Sequence, residues 1–203
     1  MSGIIAQNVG RHGGLIKAPS GGGGGAWTLI QTLTSDGSDA SLSFTSGIDS
    51  TYDEYCFIFN NIHPETDNVD LTFNASTDTG SNYNVTKTTT YFRAYHDEAD
   101  SSTDVAYNAA NDIAQGTGYQ IIGRVIGNDN DQSASGYLHL FNPSSTTFVK
   151  HFVSNVNSYA YHDYSVNAYV GGYFNTTSAI DAIQFKMSAD EIQGGSISMY
   201  GIS

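Results

Sequence analysis

Cysteine, proline and basic side chains are all scarce in this chain of 203 residues, and each scarcity excludes something. The one cysteine, Cys56, leaves no internal disulfide and no cysteine metal cluster. Seven Lys and Arg stand against 20 Asp and Glu, a formal charge of −13, so the chain repels phosphate and no nucleic-acid partner is expected. No run of 18 apolar residues is present, so no membrane-spanning helix is expected. Met1 to Gly10 lack the basic and long apolar regions of a secretory signal, which leads us to expect synthesis in a cytoplasm. What is abundant is aromatic: 14 Tyr and 10 Phe, set among Ser, Thr, Asn and 22 Gly. This is the profile of an acidic, aromatic-rich β protein, and a chain of this size buries roughly 70% of its unfolded surface without needing disulfide or metal.

The charge is unevenly placed. Residues 1–25 carry Arg11 and Lys17 and no acid, a charge of +2, whereas the remaining 178 residues carry −15. Within the first segment, Ile4-Ile5, Val9 and Leu15-Ile16 are apolar stations separated by glycines, with no helical or strand period. Gly21 to Gly25 then form a flexible spacer reaching on the order of 12 Å. A disordered tail is the plain alternative. Sticky stations on a glycine leash favour an anchoring arm, with Ile4, Ile5, Val9, Arg11, Leu15, Ile16 and Lys17 as its contacts. The expected organisation is an arm over 1–25 and one globular domain over 26–203.

From Trp27 onward, short runs of period two alternate with turn residues. Trp27–Gln31, Ser41–Phe44 and Val69–Phe73 alternate; Tyr55–Phe59 is apolar throughout and is expected to be central and covered on both faces. Further strands are expected in Tyr119–Ile126, Gly136–Phe141, Thr147–Val153, Tyr164–Phe174, Ala182–Met187 and Ser196–Tyr200. Asp36-Gly37, Asp78-Thr79-Gly80, Asn128–Asp131 and Asn142–Ser145 supply the turns. Roughly ten strands at this spacing predict a single antiparallel β-sandwich of jelly-roll type. One short helix at most is expected, over Thr103–Ala114, where Val105, Ala109 and Ile113 share a face.

No constellation of residues spells out an enzyme. Cys56 lies among Tyr55, Phe57 and Ile58 and reads as a buried small hydrophobe, since a reactive thiolate needs an open, electropositive setting. A hairpin at Asn142–Ser145 brings His139 and His151 onto adjacent strands, but two ligands are too few for zinc. The Asn128–Asp131 and Asp97–Asp100 clusters lack a calcium-loop pattern. No cofactor and no metal are expected. Tyr159, Tyr161 and Tyr164, near Asn157, His162 and Asp163, form a possible glycan strip or subunit interface. The sequons at Asn74, Asn84 and Asn175 carry little meaning without a secretory signal.

Three stretches carry a resemblance: Met1-Ser2-Gly3-Ile4-Ile5-Ala6-Gln7-Asn8-Val9-Gly10-Arg11 with Lys17-Ala18-Pro19; Gly47-Ile48-Asp49-Ser50-Thr51-Tyr52-Asp53-Glu54-Tyr55 with Phe57 to Pro64; and Gly194-Gly195-Ser196-Ile197-Ser198-Met199-Tyr200-Gly201-Ile202. Together they resemble small virion structural proteins of tailed bacteriophages of aquatic bacteria. The resemblance implies a non-enzymatic virion structural protein made in the host cytoplasm, and the short chain, its basic apolar arm and a body without catalytic motifs make a capsid decoration or cement protein on the virion surface the leading expectation. It would be bound to the major capsid protein or other virion subunits and assembled as a homo-oligomer, a trimer by preference. The alternative is a tail-fibre or receptor-binding module contacting host glycans through Tyr159, Tyr161 and Tyr164. A lyase or glycosidase on the same scaffold is a third expectation, requiring paired carboxylates in a groove.

Overall fold

A computed structural model describes residues 27–203, so the anchoring residues Ile4, Ile5, Val9, Arg11, Leu15, Ile16 and Lys17 lie outside the described residues. All twelve elements are strands: β1 (Thr28–Thr34), β2 (Leu42–Phe44), β3 (Glu54–Pro64), β4 (Val69–Ser76), β5 (Lys87–Asp97), β6 (Thr103–Tyr107), β7 (Gln120–Ile126), β8 (Ala134–Phe141), β9 (Lys150–Ala160), β10 (Tyr164–Phe174), β11 (Ala182–Met187) and β12 (Ile192–Ile202). Every pairing is antiparallel, and the main path runs β1-β12-β3-β8-β9-β7-β4-β11-β2. The sheet branches at β9. One edge pairs with β8 up to Ser158 and meets β7 at Ala160; the other carries β10, then β5 and β6. The result is an all-β sheet curled almost closed around one core, with no helix among the described residues.

The helix expected over Thr103–Ala114 is a correction. Thr103–Tyr107 is β6, with Val105 opposite Ala94 and Tyr107 opposite Phe92. Asn108 and Asn111 then make a turn, the Asn111 amide donating to the Asn108 carbonyl at 3.1 Å. A four-residue spacing of apolar side chains yielded to β-branched residues beside a ready partner strand and to Asn residues that favour turns. Strand β5 went unread because its inward positions include Lys87, Thr89, Arg93 and Asp97, which removes the apolar alternation.

Side-chain alternation sends rings inward. Phe185 on β11 meets Phe59 at 5.1 Å, Phe57 at 5.4 Å, Phe73 at 6.2 Å and Phe44 at 6.3 Å. Phe73 in turn meets Phe152 at 5.0 Å and Phe174 at 6.0 Å, so aromatic contacts bridge the opposed walls. These offset and edge contacts are the favoured ring geometries. β3 lies between β12 and β8, and Tyr55, Cys56, Phe57 and Phe59 are buried, as the apolar run predicts, whereas Ile58 is only half-buried. Gly195 is required by both conformation and space. It holds φ +98° at the β12 bulge, and an added Cβ there would sit 2.4 Å from the Asn61 carbonyl oxygen.

The core also holds two lysines. Lys87 and Lys150 flank Phe174 on its two neighbouring strands, and both are fully buried. The Lys87 ammonium donates to the Gly118 carbonyl at 2.5 Å and lies 5.8 Å from the Phe174 ring centre; that of Lys150 donates to the Thr176 carbonyl at 3.2 Å. Desolvation brings Lys87 down to about 8.

Candidate functional site

The convex side of the larger wall is where chemistry-bearing residues collect. Registers place Tyr107, Phe92, Tyr169, Asn155 and Tyr137 directly opposite one another on β6, β5, β10, β9 and β8. The four rings are exposed at 57%, 44%, 38% and 40%, in the order Tyr107, Phe92, Tyr169 and Tyr137, so this is an aromatic row facing water. Phe92 and Tyr169 stack at 4.8 Å with planes only 6° apart. The parallel row one pleat away runs Thr90, Gly171, Val153, His139, Cys56, Tyr200 and Leu29. Between the rows lies a groove of about 280 Å³ lined by Phe92, Tyr137, Val153, Asn155, Tyr169 and Gly171.

The three tyrosines singled out from sequence sit at one end of the β9–β10 hairpin but do not form one platform. Tyr159 opposes Ser165, which opposes His96, on the convex face; Tyr164 opposes Ala160 and Asp97 on the other. Tyr159 and Tyr164, without Tyr161, share only the rim of a second cavity of about 280 Å³, with Asp97 and Glu98. The Glu98 carboxylate beside Tyr159 raises its phenol to about 12. Tyr161 and Tyr164 are instead linked through His162, with ring centres 4.4 and 4.2 Å away. Tyr164 also faces Tyr95 at 5.6 Å, and Arg93 lies over Tyr95 at 5.1 Å.

Sequence reasoning missed a relay on the second row. Cys56 and His139 are directly opposed on β3 and β8, the thiol lying 3.5 Å from His139 Nε2 while Nδ1 bonds the Glu54 carboxylate. An imidazole protonated on Nδ1 satisfies both, donating to Glu54 and accepting the Cys56 S–H. This is the order of groups found in nucleophilic thiol sites, but its setting opposes activation. Burial, then the Glu54 charge, pushes the Cys56 thiol up to about 12. The Trp27 ring, 6.0 Å from His139 and 5.7 Å from Tyr200, spans the strand that carries Cys56. The chain of bonds joins β3 to β8 and holds His139 in place; the thiol stays neutral. Only long-range register could have revealed it.

His139 opposes Val153, so His151 is its diagonal neighbour, and His151 contacts Tyr173 instead. Among the described residues, no group of three or more His, Cys, Asp or Glu converges on a metal position. The sequon asparagine Asn74 is fully buried and donates to the Tyr83 and Thr117 carbonyls at 2.6 and 2.9 Å, a structural role that leaves it no access to a glycan. Set against protein-family models, curated proteins and solved structures, the chain matches none of them.

Proposed function

We propose that this chain is a jelly-roll structural subunit of a tailed-bacteriophage particle, a capsid decoration or cement protein tethered by residues 1–25. The observation that carries the reading is strand order. Set β10, β5 and β6 aside and divide the main path at β9. One part reads β1-β12-β3-β8 and the other, taken from its far end, β2-β11-β4-β7. Rank by rank, each strand is joined to its counterpart by a short loop: 35–41, 188–191, 65–68 and 127–133. An antiparallel ribbon wound in this way supports reading the fold as a jelly roll of eight strands, with β5–β6 and β9–β10 as insertions, an architecture used by viral capsid and lectin domains.

The two of these stretches that lie among the described residues serve this frame. Ser196–Gly201 pairs with β1 on one side and β3 on the other, and Tyr55 ties the 47–55 segment together through Asp49, whose carbonyl accepts from the Tyr55 hydroxyl at 3.0 Å. The acidic body and the +2 segment attract each other, so the arm of one copy suits the body of a neighbour. Deleting residues 1–20 tests this. Particle binding and shell stability to heat should fall sharply while the β circular-dichroism signature is kept; unchanged particle binding would sink the reading. A tail-fibre or receptor-binding role is the second reading, and the exposed aromatic row favours it.

A further inference from the structure

We propose that the groove between the two convex rows is a binding site for a neutral oligosaccharide, with the Tyr169 ring, braced from behind by Phe92, as its platform. The site belongs to this body wherever the chain sits on a particle. It differs in place from the Tyr159, Tyr161 and Tyr164 strip, lying across the middle of the strands rather than at the hairpin tip.

The polar groups of the groove are pre-organised. Asn155 Nδ2 donates to Asn167 Oδ1 at 3.0 Å, and Asn167 Nδ2 donates to the Tyr169 hydroxyl oxygen at 2.8 Å. That chain pins the Tyr169 ring, which lies flat against Phe92. It also fixes polarity. The Tyr169 hydroxyl accepts from Asn167 and keeps its own hydrogen to donate, whereas Asn155, its amide hydrogens committed to Asn167 and to the Ala168 carbonyl, keeps its oxygen to accept. A donor and an acceptor beside a ring face complement a sugar, whose hydroxyls do both and whose C–H face is apolar.

Shape and charge select the same ligand class. Gly171 leaves the floor at backbone level; an added Cβ there meets only Thr90 Oγ1, at 3.8 Å, so the trough follows from a missing side chain rather than from crowding. At ~4.8 Å per strand, the groove from Phe92 to Tyr137 spans about 14 Å, the length of a short oligosaccharide rather than of one sugar. The groove is lined by no Asp, Glu, Lys, Arg or His. The surrounding body carries −15, which disfavours sulfated or uronic-acid chains and leaves neutral pyranoses as the class that fits.

The test uses the full chain on an array of neutral and acidic oligosaccharides, followed by calorimetric titration of the best neutral hit, for example a hexose trisaccharide. Tyr169→Ala should weaken binding at least tenfold, and Tyr169→Phe, which keeps the platform and loses the donor, by a smaller factor. Gly171→Val fills the trough and should abolish binding with the melting temperature kept. No binding to any neutral glycan would overturn the proposal. So would preference for acidic chains, or undiminished affinity in both Tyr169→Ala and Gly171→Val. If Tyr169→Ala instead dissociated an oligomer seen by light scattering, the face would be a contact between copies and the proposal would fall.

Discussion

Lys87 is folded away from water with the Gly118 carbonyl as its ammonium's partner, and burial lowers its pKa from 10.5 to about 8. From pH 8 toward 10.5 the unfolded chain therefore holds a proton that the folded chain has released, and stability rises with pH. Cys56 works in the opposite direction. Its folded value of about 12 exceeds the ordinary 9.0, so from pH 9 upward the unfolded thiol loses its proton first and stability falls. Together they confine the gain to pH 8–9, where it amounts to about 1 kcal/mol. Denaturant unfolding at half-unit pH steps checks this. Lys87→Met should lose most of the rise, and Cys56→Ala should extend it toward pH 10; a wild-type curve falling from pH 8 to 9 would contradict the assignment.

At the scale of elements, β11 ties the walls together through Phe185, which touches rings on β2, β3 and β4. Phe185→Ala removes a fully buried ring from the centre of that cluster and should cost about 3–5 kcal/mol, read as a lowered urea midpoint at unchanged slope. A loss below about 1 kcal/mol would mean that the walls are held elsewhere. Elements that bury apolar residues in a regular period were legible in the sequence: β2, β4 and the all-apolar centre of β3. Those with polar inner positions were not. β5 turns Lys87, Arg93 and Asp97 inward, and the second half of β9 reads as Ser154, Asn155, Asn157 and Ser158. The site was less legible still. Tyr159, Tyr161 and Tyr164 are close in sequence, yet pleating separates Tyr159 from Tyr164. The aromatic row draws on Phe92, Tyr107, Tyr137, Asn155 and Tyr169, which only register brings into line. Local periodicity carries no information about that alignment.

For the molecule as a whole, the formal −13 is the sum of two unlike parts, a +2 segment through the glycines and a −15 body, and the proposed association of copies rests on that division. Among the described residues, β1, β2 and β6 are end strands, each paired on one side only. β2 and β6 are short, with three and five residues, and β6 carries Asp104, features that discourage uncontrolled edge pairing. Association through an arm rather than through open edges suits such a body. The most direct measurement is a cryo-EM map of the phage particle. The expected result is the β body outside the shell in symmetric copies, with residues 1–25 traced into a neighbouring subunit. A particle that lacks the chain, or carries it with residues 1–25 touching no other subunit, would contradict the proposed role.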